Sequence, residues 1–176
     1  MAYCDGYGGQ IGSMLQDMTT KEHIVLDRLD RQILTLLQDN GRMTNLELSE
    51  KIGLSPTPCL RRVKRLEDEG VIKGYAAIVD QKAYGLPLSV FVSIRLNQQS
   101  EEQIKEFEKA VQGWSEVTEC HLMTGARDYL LHVYADGIEG YERFLKQKVT
   151  RLKCIQSVET NFAMSTIKKR IGLPPL

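Results

Sequence analysis

Between Thr57 and Arg65 the sequence TPCLRRVKR sets Arg61, Arg62, Lys64 and Arg65 close together, and no carboxylate occurs from Ser55 through Leu66. Glu67, Asp68 and Glu69 arrive only where a helix over this stretch would end. Acids near a helix C-terminus oppose its macrodipole, so optimising an isolated helix does not explain this order. A part that faces phosphates does. On a wheel of roughly 100° per residue, a buried stripe of Leu60, Val63 and Leu66 puts Arg61 and Arg65 nearly opposite. Thr57 and Lys64 then lie on one flank, Pro58 and Arg62 on the other. Arginine can grip guanine bidentately, which makes Arg61 and Arg65 candidate base readers and leaves Arg62 and Lys64 to hold phosphates. Ser55 and Thr57 are neutral donors at the helix start. The competing reading is a solvated basic face on an ordinary helix.

A second group with chemistry is Thr124-Gly125-Ala126-Arg127-Asp128, preceded by Met123. A glycine lets backbone amides approach a ligand and form a concavity suited to an α-carboxylate, while a carboxylate three residues on can accept from an α-ammonium. Arg127 suits a polar or acidic ligand. The plain alternative is a hairpin turn in which Gly125 supplies a positive φ and Asp128 bonds its own backbone.

The basic stretch needs elements to hold it. Leu46, Leu48 and Ile52 give a first short helix an apolar side, with Thr44 or Asn45 as its cap and Gly53-Leu54 as a corner. Ser55 caps the second helix, and Pro56 occupies its first position. A supporting helix from Leu26 carries Leu29, Ile33, Leu36 and Leu37 on one face and ends at Asn40-Gly41, a left-handed cap signal. Val71 to Val79 reads as a β-hairpin or wing in which Lys73 is the one cation. Together these predict a winged helix-turn-helix over residues 23–79, with residues 1–22 a flexible leader or over-extended start outside the fold.

Residues 80–87, DQKAYGLP, have the composition of a hinge. Beyond it the period changes. Strands are predicted over Leu88–Leu96, Val117–Met123, Tyr129–Ala135 and Ile155–Met164, with helices over Glu101–Val111, capped by Ser100, and Ile138–Val149. Strand, helix, strand, strand, helix, strand is the order of a ferredoxin-like βαββαβ domain, here residues 88–176, so the fold class is α+β. One sheet face has no helix to cover it, and a second subunit would cover it most simply. Either Val90, Val92 and Ile94 or Phe91, Ser93 and Arg95 face that partner, because a period of two carries no sign.

Composition removes other classes. Lysines and arginines number 23, as do aspartates and glutamates, so any affinity for nucleic acid is local and not global. Cys4, Cys59, Cys120 and Cys154 lie far apart, without a Cys-x-x-Cys pair or a histidine cluster, which argues against a structural zinc and for a reduced, cytoplasmic setting. No apolar run approaches the roughly 18 residues of a membrane span. His23, His121 and His132 are isolated, and neither a phosphate-binding glycine loop nor H-E-x-x-H occurs, so no catalytic, metal or cofactor site is assigned. A small βαββαβ enzyme and an architectural DNA-bending protein are the alternatives to a regulator.

The run LDRLDRQILTLLQDNGRMTNLELSEKIGLSPTPCLRRVKRLEDEGVIKGY, followed by ECHLMTGARDYLL, resembles the Lrp/AsnC, or feast/famine, family of transcription regulators. The resemblance covers about residues 26 to 170. It implies a DNA-binding unit on double-stranded DNA, a βαββαβ effector domain paired into homodimers that join into octameric rings, and a small effector, usually an amino acid. It also implies that T-G-x-x-D, here Thr124, Gly125 and Asp128, belongs to the effector pocket. Ala126 and Arg127 depart from the acidic or aromatic residues of many relatives.

Overall fold

The computed structural model describes residues 24–170 and 172–174, so the leader expected over 1–22 lies outside the described residues. The chain forms two compact units: one of residues 79–166, the other of the described residues of 20–78 together with those of 167–176. The sequence assigned that last segment to the effector domain, whereas it packs with the helix-turn-helix.

In the DNA-binding unit α1 is Arg28–Asp39, α2 is Asn45–Ile52 and α3 is Pro56–Asp68. Capping fixes the first two starts. Asp27 and Asp30 form a capping box on α1, the Asp30 amide donating to Asp27 Oδ1 at 2.9 Å and the Asp27 amide to Asp30 Oδ2 at 3.1 Å. Thr44 and Glu47 repeat the device on α2. Ser55 occupies the N-cap position of α3, yet its side chain makes no capping bond. Gly53 takes the left-handed conformation the corner requires, with φ 70°. Asn40 does not; it ends α1 in an extended conformation and Gly41 has no positive φ. The core is Ile33, Leu48, Ile52, Cys59 and Leu66.

Two expectations change here. The buried stripe of α3 is Cys59, Val63 and Leu66, while Leu60 is 45% exposed. Moreover, no strand pairing occurs among the described residues of 71–79; this wing segment lacks regular hydrogen-bonded structure. It borders an apolar cavity of about 670 Å³ shared with Leu34 and Leu37 of α1 and with Gly172–Pro174. There the Leu173 amide donates to Gln38 Oε1 at 2.5 Å.

The effector unit contains β1 (Leu88–Leu96), α4 (Glu101–Gln112), β2 (Val117–Leu122), β3 (Tyr129–Ala135), α5 (Ile138–Gln147) and β4 (Ile155–Phe162), with a 3₁₀ turn at Val149–Arg151. The sheet order is β2-β3-β1-β4, antiparallel throughout. This is the ferredoxin-like arrangement. Val90, Val92 and Ile94 are fully buried among Phe107, Val111, Trp114, Tyr141 and Phe144, which settles the phase of β1. Phe91 is therefore on the other face, 39% exposed, stacked on His132 with ring centres 4.5 Å apart. No described helix is long and apolar enough to cross a membrane.

Candidate nucleic-acid interface and effector loop

Burial of Cys59 and Leu66 sets the rotation of α3. At 3.6 residues per turn, Thr57, Arg61 and Lys64 then point about 140–200° away from the core. All three are exposed, and Leu60 borders them. Pro56 at the helix start leaves no amide to satisfy there. The Asn45 side chain donates to the Pro56 carbonyl at 2.9 Å and so ties α2 to the first turn of α3. The uncapped Ser55 hydroxyl sits at the same end.

Arg62 and Arg65 lie elsewhere. By the same rotation they are about 60° and 120° from the core direction, on the flank toward α1. Arg62 Nη1 donates to Asp27 Oδ2 at 2.7 Å and to Asp30 Oδ1 at 2.8 Å, and Arg65 Nη2 donates to Asp30 Oδ2 at 2.5 Å. The Asp30 side chain is 1% exposed. The Asp30 amide, followed by the Arg62 guanidinium, holds the Asp27 carboxyl below its usual range; Asp27 and Asp30 in turn raise Arg62. Arg61 and Arg65, expected together opposite the buried stripe, are thus separated: one faces outward while the other is bound to a buried carboxylate. Pro58 is half-buried beside that flank.

In the sequence Asp27 and Asp30 stand at the start of the supporting helix, where acids favour the helix dipole. A signal for their larger role was present: two acids three apart on one helix and two arginines three apart on another are complementary, since that spacing puts each pair on one face.

In the effector loop Gly125 has φ 113°, and Met123, Thr124 and Gly125 are exposed. The Met123 amide donates to the Asp128 carbonyl at 2.8 Å, closing the turn. Asp128 is 3% exposed; Oδ2 accepts from the Leu96 amide at 2.7 Å and Oδ1 from Gln99 Nε2 at 3.0 Å. It fastens the loop to the end of β1. Arg127 Nη2 lies 2.6 Å from Glu159 Oε2, and that guanidinium lowers the Glu159 carboxyl. Gln99 and Glu159 escaped the sequence reading because they come from other elements.

The chain matches two family models, winged helix-turn-helix DNA-binding over residues 26–73 and Lrp/AsnC ligand binding domain over 89–173. It is 42% identical over 144 residues to the leucine-responsive regulatory protein of Escherichia coli K12, covering 82% of this chain and 88% of that one. Among solved structures it resembles an AsnC family regulator from Agrobacterium tumefaciens, at 40% identity and TM-score 0.81, covering 85% of this chain and 97% of that one. A Neisseria meningitidis transcriptional regulator solved with L-methionine gives 36% and 0.82, with the same coverage. With a helix-turn-helix unit, a ferredoxin-like effector unit and these likenesses in one chain, the protein belongs to the Lrp/AsnC family of ligand-responsive, DNA-binding transcription regulators.

Proposed function

We propose that this regulator reads double-stranded DNA through the outward face of α3 and that a neutral amino acid bound at the Met123–Gly125 edge of the effector loop alters that reading. The face carrying Thr57, Arg61 and Lys64, with no carboxylate from Ser55 through Leu66, is the observation that carries the first half. Arg61 reaches base edges, Lys64 holds phosphate, and the Ser55 hydroxyl and Thr57 add neutral contacts at the helix N-terminus. For the second half, the names of relatives point to leucine and methionine. Arg127 is already neutralised by Glu159, which removes the reason to expect an acidic ligand. Asp128 shapes the pocket from behind.

The reading includes a homodimer, and larger rings of dimers, acting in the cytoplasm without a catalytic step. The sheet face bearing Phe91, His132 and Tyr134 supports it, since aromatic groups on an uncovered sheet are suited to a second copy. Thermal-shift titration tests the ligand: L-leucine or L-methionine is expected to raise the melting temperature as RT ln(1 + [L]/Kd) requires, and L-glutamate is not. DNA occupancy that ignores every proteinogenic amino acid would favour the architectural alternative.

A further inference from the structure

We infer that Asp30 positions the DNA-reading helix by holding Arg62 and Arg65, and that these two arginines are not DNA contacts. The inference rests on the reading of α3 given above. Asp30 is the one charged group of α1 that is fully buried, and its two oxygens take both guanidinium groups while Oδ2 also accepts the Asp27 amide. A carboxylate withdrawn from water is tolerated only with such partners; removing either leaves buried charge short of compensation. If Arg65 left to grip a phosphate it would give up a charge-assisted bond of the same kind, and Arg62 would give up two, while uncovering that deficit.

The geometry also fixes what the clamp controls. Acids at 27 and 30 engage arginines at 62 and 65, so the contact spans about one turn of each helix. Contact over a full turn restrains rotation of α3 about its own axis as well as sliding along it. That rotation is what aims Arg61 and Lys64 outward.

The test is the dependence of DNA affinity on salt, measured with the full chain and sonicated genomic DNA as probe. A residue that neutralises a phosphate contributes about 0.9 to the slope of log K against log salt. Lys64→Gln should lower the slope by about that amount. Arg62→Gln and Arg65→Gln should weaken binding with the slope unchanged. Asp30→Asn should weaken it to the same extent, and adding Asp30→Asn to the arginine double variant should cost nothing more, since the three act as one unit. Should Asp30→Asn fold poorly, the apolar set Asp30→Leu, Arg62→Met and Arg65→Met removes the buried charge and both its partners together and should recover DNA binding at the wild-type slope. A slope lowered by about one unit in Arg62→Gln or Arg65→Gln would make these residues phosphate contacts and overturn the inference. A Lys64→Gln protein with unaltered affinity and slope would instead overturn the assignment of α3 as the reading helix.

Discussion

Single side chains divide into those that read and those that hold. Arg61→Ala should cost about 1–3 kcal/mol on a preferred site and flatten preference at one base pair, as binding to single-substituted sites would record. Lys64→Ala should weaken all duplexes alike. Equal loss on every sequence for both variants would remove Arg61 from the base-reading role. In the effector unit Asp128 is a holder: truncation to Ala strips the Leu96 amide of its acceptor and should destabilise the unit by about 1–3 kcal/mol in denaturant melts. A lost amino-acid response in that variant therefore does not identify a ligand contact. Thr124→Ala, at an exposed position, should blunt the response with little change in stability. An unchanged response would move the pocket away from this loop.

At the scale of elements, capping boxes and phase decide most of what forms. Replacing Thr44 by Ala should cost about 1 kcal/mol, read as a lower melting temperature. Asp27 adds a pH dependence of definite sign. Its carboxyl is lowered from the usual 3.8 by the Asp30 amide and then by Arg62. The stability it contributes is complete above that value and is lost as pH falls through the lower folded value, so the gap in melting temperature between wild type and Asp27→Asn should close only below about pH 4. The order and approximate bounds of the βαββαβ elements were legible in the sequence because alternation along β1 and β3 and the helical period of α4 are unbroken. The rotation of α3 was not. Leu60 is the more apolar residue, but Cys59 is small enough to lie against the neighbouring helices, and taking Leu60 in place of Cys59 as inward turned the stripe by about 35°. With that phase wrong, Arg65 seemed free, and its partner Asp30 lies 35 positions away, beyond anything periodicity reports. The winged helix-turn-helix is present, but the β-hairpin form expected for 71–79 is not, because β-branched residues favour an extended chain and cannot supply a neighbouring strand.

For the whole molecule, the uncovered sheet predicts assembly. Phe91→Glu places charge in the proposed subunit contact and should shift sedimentation toward monomer while the melting of the effector unit changes little; an unaltered dimer would assign the contact to another face. Among the described residues the chain crosses between its two units at about residue 79 and again near 167. Gly172 leaves room where a Cβ would come within 2.9 Å of Gln38 Oε1, so the returning segment is fitted to α1 of its own chain. A chimera could be joined at residues 80–87, the expected hinge. A graft made there alone would set a foreign C-terminal segment against Gln38 and the apolar cavity beside it. Hybrids that carry 167–176 along with the donor DNA-binding unit should melt higher than hybrids exchanged at the hinge only, and the modular boundary of this regulator is then a pair of junctions.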